Sequence, residues 1–222
     1  MADLSRSCVM KVAIYDLDKT LVRRATFTPF LLFAAQRLAP VRVLLFPVWI
    51  AMMIGYRIGL YDRTRLKTMG MHLMLGRQPV EALERAGREF ATHHLRKCGW
   101  VEGVIAMLET DRKEGAHLVI ATAAFEFYAR GFAEKLGIED VIATGWDGEK
   151  IPGGNCYGDE KRKRVALWLD DKPAGRKTRF VSDSFADAPL LQEADDPVFV
   201  TQSASKRKRA ETNGWRVIGW SD

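Results

Sequence analysis

Acidic and hydroxyl side chains follow three apolar segments of this 222-residue chain, where they could act together on one ligand. Asp16 and Asp18 come after the first segment, Thr122 after the second and Asp183 after the third. Two carboxylates placed two residues apart after a buried strand are costly unless a cation lies between them. Oxygen ligands in an incomplete protein cage favour Mg²⁺, with water and a substrate phosphate completing its coordination. The sequence therefore predicts a magnesium site that meets a phosphate compound, whereas isolated acids here would be read as helix N-caps.

The elements that must position these residues are strands alternating with helices. Residues 12–17, 117–121 and 179–182 have the pattern of short buried strands. Their alternation with helical segments predicts an α/β fold with a doubly wound, mostly parallel, Rossmann-like sheet. Ligands of such sheets bind beyond the carboxyl ends of the strands, so three strand ends that carry acid, hydroxyl and acid indicate an active site. Further strands are predicted at 141–144, 198–201 and 215–220, and helices at 100–114, 125–136, 161–169 and 189–194.

Composition excludes several classes of protein. The chain is 47% hydrophobic and 28% charged, which is unlike a disordered or collagen-like protein. Cys8, Cys98 and Cys156 are far apart and form no CxxC pair, which argues against a disulfide framework or a zinc knuckle. Acidic residues follow the N-terminus before an apolar signal core could form, so we expect a cytoplasmic protein.

Four short motifs succeed one another along the chain. They are DLDKTL from Asp16, IAT ending at Thr122, Lys161 in the sequence GDEK, and SDSFAD over residues 182–187. As a set they resemble the haloacid dehalogenase-like (HAD) phosphohydrolase superfamily, and the 22-residue step from Lys161 to Asp183 is also of that family's kind. Lys163 is close enough to be the alternative lysine.

The resemblance implies a reaction for the acidic residues. Asp16 would attack phosphorus and form an aspartyl-phosphate, and Asp18 would protonate the leaving alcohol and later activate water. Asp16, the backbone carbonyl of Asp18, and Asp183 would hold Mg²⁺ as the cofactor. The implied enzyme is a phosphoric monoester hydrolase, although an aspartyl-phosphate could equally be passed to an acceptor other than water.

The resemblance also implies how the phosphate would be bound. Thr122 and nearby backbone N–H groups would contact the phosphoryl oxygens, and Lys161 would neutralise the developing charge. Asp187 would have a supporting role and orient Lys161 or a metal-bound water. The intact set of residues argues against a catalytically inactive binding protein.

An insertion between the first two motifs carries the positive charge of the chain. Residues 23–98 are predicted to form an all-helical cap, as in the subfamily that contains phosphoserine phosphatases, and residues 1–22 and 99–222 form the catalytic core. Residues 23–97 hold 13 basic and 4 acidic residues, a balance of +9. Because the whole chain carries +6, the remainder carries −3, and the positive charge indicates how an anionic substrate is met.

The same insertion contains the most apolar run of the chain. Residues 43–56 are 14 residues without a charge, shorter than the roughly 20 that a spanning helix needs, and Pro47 is expected to interrupt them. The run is either a core helix of the cap or a segment that lies in an anionic membrane surface through Arg42, Trp49 and Arg57. The second interpretation places the protein peripherally on the cytoplasmic face, with further basic residues near head groups: Arg37, Arg63, Arg65 and Lys67.

The substrate interpretation follows from the cap and the second motif. Phosphoserine phosphatases usually show Ser-Gly-Gly-type residues where this chain has Thr122-Ala123-Ala124. The apolar, basic cap and the stretch NCYGDEK resemble the phosphatidylglycerophosphatase C branch, which favours a membrane lipid phosphate such as phosphatidylglycerophosphate. The alternative is a soluble small-molecule phosphate such as phosphoserine. Basic runs at 161–164 and 206–209 suggest nucleic acid, but no partner of that kind is expected because acids lie beside both runs.

Overall fold

In a computed structural model that describes residues 10–221, six parallel strands form one sheet. Their order across the sheet is β3-β2-β1-β4-β5-β6, and each neighbouring pair is parallel. This confirms the predicted doubly wound, Rossmann-like α/β fold. The strands are β1 (Lys11–Tyr15), β2 (His117–Phe125), β3 (Asp140–Thr144), β4 (Lys177–Ser182), β5 (Asp196–Val200) and β6 (Arg216–Ile218).

Helices connect the strands and also form the insertion. Between β1 and β2 lie α1 (Phe27–Leu38), a 3-10 helix (Pro40–Leu45), α2 (Phe46–Arg57), α3 (Arg63–Met74), α4 (Val80–Cys98) and α5 (Glu102–Lys113). The later connections contain α6 (Glu126–Leu136), α7 (Asp159–Asp170), α8 (Ala188–Glu193) and α9 (Ala204–Thr212). Cys98 and Cys156 are free thiols, and Cys8 lies outside the described residues.

Both faces of the sheet are covered, as strand alternation requires. Val12 and Ile14 of β1 belong to a buried cluster that includes residues of α7, α8 and α9. Ala13 and Tyr15 point to the other face, into a larger cluster with α5, α6 and the helices of the insertion. The central strand is therefore apolar on both sides, and polar side chains lie at its carboxyl end.

The insertion contacts the core most closely where α4 crosses α6. A Cβ atom at Gly87 would lie 2.2 Å from the carbonyl oxygen of Phe127, and one at Gly131 would lie 3.0 Å from the Cα of Arg88. The two helix backbones thus approach to a distance that leaves no room for side chains at these glycines. The division into residues 1–22 and 99–222 as core and 23–98 as cap stays a prediction, since one hydrophobic cluster spans both.

The apolar run of the insertion does not form a packed core helix. Only Trp49 and Gly55 are buried in α2, whereas large side chains such as Leu44 (79% exposed) and Ile54 (57%) face solvent. By length and composition alone, Pro40–Arg57 could cross a membrane, and 11% of this segment is buried. The run is divided next to Pro47: residues 43–45 end the 3-10 helix, and Pro47 lies in the first turn of α2, where a missing N–H costs little.

Two of the residues predicted to meet a membrane surface are used inside the insertion. Trp49 is fully buried, and its Nε1 donates to Thr28 Oγ1 at 3.3 Å. Nη1 of Arg42 donates to the carbonyl oxygens of His72 and Leu73 at 3.0 and 2.9 Å. The prediction is wrong for Trp49, which is fully buried, whereas Arg42 has one guanidinium nitrogen engaged within the insertion and is half-buried. Lys67 is likewise buried and not near a surface.

Candidate active site

The predicted site residues meet where the sheet changes direction between β1 and β4. From β1 the chain proceeds outward to β2 and β3, and it returns on the other side of β1 to form β4, β5 and β6. The loops after β1 and β4 therefore diverge and leave a crevice at the carboxyl edge. Asp16, the first residue after β1, still donates its N–H to Val181 O of β4 at 2.9 Å.

A tight turn after β1 brings a second polar residue beside Asp16. The amide groups of Leu21 and Val22 both donate to Leu17 O, and Lys19 has a φ of 60°, the left-handed region that non-glycine residues seldom adopt. The turn places Thr20 Oγ1 3.4 Å from Asp16 Oδ2. Thr20 Oγ1 also accepts the N–H of Asp183 at 3.0 Å. Thr20 thus joins the first and last motifs, a role that the sequence analysis did not assign to it.

Lys161 holds two carboxylates at the centre of the crevice. Its Nζ donates to Asp16 Oδ1 at 2.9 Å and to Asp187 Oδ2 at 2.8 Å, and its side chain is 2% exposed. Asp187 Oδ2 also accepts a hydrogen bond from Ser182 Oγ at 2.7 Å. Lys163, the alternative, is exposed because residues two apart on a helix point in different directions. Lys161 is therefore the lysine of this site.

Burial strongly affects the ionisation of these groups. Burial raises the pKa of Asp16 to about 7, although Lys161 opposes the shift, and the neighbouring acids reinforce it. Burial likewise raises the pKa of Asp183 to about 6. Burial alone would lower the pKa of Lys161, but Asp16 and Asp187 outweigh it and raise that pKa above its ordinary value. The site thus holds a permanent ammonium ion among acids that favour an additional cation.

The insertion engages one carboxylate oxygen of Asp18. Its Oδ1 accepts the N–H of Thr26 at 2.9 Å, at the beginning of α1. Burial raises the pKa of Asp18, and the hydrogen bonds from Thr26 oppose that shift. One acid is therefore held by a lysine and the other by the insertion, so the two can act on different atoms of one ligand.

An irregularity near the end of β2 shapes the surface beside Thr122. The β2–β3 register shifts between Ala121 and Phe125, so Ala123 O accepts side-chain hydrogen bonds: from Lys67 Nζ at 2.6 Å and from Thr144 Oγ1 at 2.8 Å. Thr122 is buried, and its Oγ1 accepts the N–H of Ala124 at 3.1 Å. Lys67 was assigned to a membrane surface in the sequence analysis, but the structure places it at this loop.

Two adjoining cavities open at the crevice. The first, of about 320 Å³, is lined by the predicted site residues Asp16, Asp18, Thr122, Lys161, Asp183 and Asp187. The second, of about 480 Å³, is mostly apolar and lies under α2 and α3. Asp18, Ala25, Arg63 and Ala123 line both cavities. The arrangement suits a ligand whose charged end lies among the acids and Lys161 while the rest extends under α2.

The donor set of the first cavity fits Mg²⁺. Asp16 and Asp183 are carboxylates in one cavity, and within residues 10–221 the weak contact with Thr20 is the one hydrogen bond to Asp16 Oδ2. Asp187 Oδ1 is buried without a hydrogen-bond partner in the described part of the chain. Residues 10–221 contain no cluster of three or more His, Cys, Asp or Glu side chains that could hold a metal. An ion here would need the Asp18 carbonyl, water and substrate as further ligands, as Mg²⁺ commonly does.

Comparison with known proteins assigns the family. Residues 13–192 match the haloacid dehalogenase-like hydrolase family. The chain belongs to this family. It is thus an enzyme of a hydrolase family, and the resemblance inferred from the four motifs is confirmed.

Individual relatives are more distant. The chain is 28% identical over 160 residues to a histidinol-phosphatase of Neisseria meningitidis serogroup C (strain 8013), covering 66% of this chain and 70% of the relative. A protein of unknown function from Bordetella pertussis Tohama I has a similar structure, with a TM-score of 0.81, 24% identity and coverage of 96% and 99%. A substrate-bound phosphoserine phosphatase has a TM-score of 0.60, 15% identity and coverage of 94% and 92%. The two structures show that the fold is shared.

Proposed function

We propose that this enzyme is a Mg²⁺-dependent phosphatase that hydrolyses phosphate monoesters of soluble small molecules through an aspartyl-phosphate on Asp16. The proposal rests on one observation: Lys161 fixes Oδ1 of Asp16 inside a cavity that Asp18, Thr122 and Asp183 also line. A carboxylate held at one oxygen presents the other as a nucleophile. The surrounding groups are those that bind an anionic phosphate and protonate an alcohol.

The chemistry divides between the two acids. Oδ2 of Asp16 forms a bond to phosphorus as the ester P–O bond breaks, and Asp18 gives its proton to the departing alkoxide. Water then attacks phosphorus while Asp18 takes up a proton, which releases inorganic phosphate and the Asp16 carboxylate. Asp18 must be protonated for the first step, and burial, which raises the pKa of Asp18, favours that state.

The remaining residues of the site position the phosphate. Thr122 Oγ1 and the neighbouring backbone amides would contact the phosphoryl oxygens, and Lys161 would offset their charge. Asp187 and Ser182 keep the Lys161 ammonium in place. Asp16, Asp183 and the Asp18 carbonyl would hold Mg²⁺, which supplies positive charge between the anionic nucleophile and the anionic substrate.

Similarity to a histidinol-phosphatase over most of the length of both chains supports a soluble substrate. The fold shared with phosphoserine phosphatase agrees with this choice. The lipid phosphate that the sequence analysis favoured is the second candidate, and one observation favours it: Leu44, Val48 and Ile54 are large apolar side chains that the insertion exposes to solvent. The phosphatidylglycerophosphatase C resemblance and the cytoplasmic location stay predictions.

Substitution of the nucleophile tests the proposal. We expect Asp16→Asn to lower Mg²⁺-dependent phosphate release from a generic aryl phosphate by about a thousandfold or more. It should also abolish acid-trapped, phosphate-labelled protein. Asp170→Asn, at the exposed end of α7, makes the same chemical change outside the site and should keep full activity. Unchanged turnover in Asp16→Asn would refute the scheme.

Binding to vesicles tests the second candidate. Flotation with neutral vesicles and with anionic vesicles separates apolar insertion from charge attraction. Val48→Glu alters the exposed face of α2 without touching either cavity, so it should reduce flotation if that face enters the membrane. A protein that floats with neither vesicle leaves the soluble substrate as the only candidate.

A further inference from the structure

We propose that the cavity beside the phosphate site accepts an apolar leaving group that carries no positive charge. This inference rests on the proposed phosphatase function and specifies its substrate class. It follows from the walls of the 480 Å³ cavity, from the charges on those walls, and from how the cavity opens to solvent.

The walls of the cavity are largely hydrocarbon and aromatic. Ile50, Met53 and Ile54 of α2 belong to the lining. Phe27 and Tyr128 are its aromatic members from other helices. A volume of this size is enough to enclose a small organic group, and apolar walls favour a ligand whose surface is also apolar.

The charges on the walls oppose a cationic ligand. Asp18 is the only acidic residue among those that line the cavity, and the N–H of Thr26 already engages its Oδ1. Arg57 and Arg63 also line it, and neither forms an ion pair with an acid in the part of the chain that is described. Arg63 lies over the ring of Tyr157 at 3.9 Å. A buried ammonium group would therefore meet two guanidinium groups and a single carboxylate, that of Asp18, of which Thr26 already engages one oxygen.

Lys67 is held at this end of the cavity by hydrogen bonds and does not bind an ammonium group. Its Nζ donates to Ala123 O and to Asn155 Oδ1 at 2.6 and 2.9 Å, and it lies 4.2 Å from the centre of the Phe125 ring. Burial lowers the pKa of Lys67 to about 7, so the two arginines carry the permanent positive charge. Neither charge state of Lys67 supplies an anion, so an amine gains nothing from it.

The expected leaving group differs from those of phosphoserine and histidinol phosphate, which the names of the similar proteins would suggest. The leaving alcohols of phosphoserine and histidinol phosphate both carry an amino group, whose ammonium form needs an acidic partner when it is buried. The cavity offers apolar contact instead. Ile54 is 57% exposed and Ile50 is 38% exposed, so the apolar wall continues to the surface, and a longer chain could extend along it.

A matched pair of substrates tests the charge preference. Propyl phosphate and O-phosphoethanolamine have the same number of heavy atoms in the leaving group, but one ends in a methyl group and the other in an ammonium group. We expect kcat/KM for propyl phosphate to be higher by about tenfold or more, because the ammonium group is desolvated without a partner. Equal values, or a preference for the amine, phosphoserine or histidinol phosphate, would overturn the inference.

A homologous series tests the apolar contact. From methyl to hexyl phosphate, kcat/KM should rise by about fourfold for each methylene group buried, until the cavity is full. A flat series would contradict the proposal. Assays of phosphatidate in vesicles and of hexyl phosphate in solution distinguish a membrane lipid substrate from a soluble one. Turnover of either compound supports an apolar pocket.

A substitution on the cavity wall provides the structural control. Ile54→Glu adds an acid at an exposed position of the wall, so it should keep the fold and reduce the ratio of propyl phosphate to O-phosphoethanolamine turnover several-fold. Val48→Glu is on the same helix but lines neither cavity, and its ratio should match that of the wild type. An unchanged ratio in Ile54→Glu would count against the cavity as the leaving-group site.

These outcomes also separate the inference from the proposed function. If no phosphate ester, including methyl phosphate, releases phosphate in an Asp16-dependent way, the phosphatase function itself is wrong. If turnover depends on Asp16 but does not distinguish propyl phosphate from O-phosphoethanolamine, only the substrate class is wrong.

Discussion

Replacing Lys161 by methionine should lower the free energy of unfolding of the protein, by an amount that depends on pH. The Lys161 ammonium lies 2.9 Å from Asp16 Oδ1 and 2.8 Å from Asp187 Oδ2, and all three side chains are buried. Methionine has nearly the same length and helix propensity, so the change removes the charge and leaves the helix intact. Removing one partner of a buried ion pair typically costs about 3–5 kcal/mol, because an uncompensated charge stays behind.

The destabilisation in Lys161→Met varies with pH because a buried carboxylate left without its lysine can be neutralised by a proton. Protonating a carboxylate with an ordinary pKa near 3.9 costs about 1.36 kcal/mol for each pH unit above it, or about 5.5 kcal/mol at pH 8 and about 1.5 at pH 5. Burial raises the pKa of Asp16, and in Lys161→Met the lysine no longer opposes that shift. Protonation of Asp16 therefore stabilises the fold at low pH, and this stabilisation is lost as the pH rises through the folded pKa. We expect a loss of about 3–5 kcal/mol at pH 8 that shrinks to about 1–2 at pH 5.

Urea unfolding with EDTA present, at pH 5 and pH 8, measures this difference directly. Lys163→Met is the matched control: the same change, two residues along α7, at an exposed position. It should alter the free energy of unfolding by less than about 0.5 kcal/mol at either pH and keep full turnover. A loss in Lys161→Met that is equal at both pH values, or no larger than that of the control, would refute the electrostatic reasoning.

Two further predictions concern the wild-type protein and the insertion. In EDTA, the free energy of unfolding should fall as the pH rises from 5 to 8, because burial raises the pKa of Asp16 to about 7 and that of Asp183 to about 6. Added Mg²⁺ should make this fall with pH smaller. A free energy of unfolding that rises with pH would contradict the prediction. Gly87→Ala should lower the free energy of unfolding by about 1–3 kcal/mol, because the new Cβ would meet Phe127 O at 2.2 Å, and an unchanged thermal midpoint would show that the α4–α6 contact is loose.

Much of the fold followed from local pattern. Alternating apolar segments predicted the six strands, and the observed boundaries differ by a few residues at most elements. The largest strand difference is β2, which was predicted to end at residue 121 and extends to Phe125. The extension carries the register shift that frees Ala123 O. Such an irregularity depends on how β3 pairs with β2, and nothing within the strand itself indicates it.

The insertion was predicted less well, because its apolar residues are distributed around α2 and not along one stripe. Trp49 and Ile54 are both large and apolar, yet one is fully buried and the other is 57% exposed. Which of them faces inward depends on where α1 and α3 lie. The position of Lys67 has the same origin: Arg65, two residues before it, is basic and exposed, but α3 turns Lys67 towards β2.

By itself, the sequence determined the family and predicted six site residues, since the order of the motifs along the chain and the residue types in them are read directly from the sequence. The tertiary structure decided which partners each residue has. Helical phase selected Lys161 over Lys163, the turn after β1 brought Thr20 between Asp16 and Asp183, and the packing of α2 and α3 built the apolar cavity next to Asp18. These outcomes depend on contacts between segments far apart in the chain, which no spacing within one segment encodes.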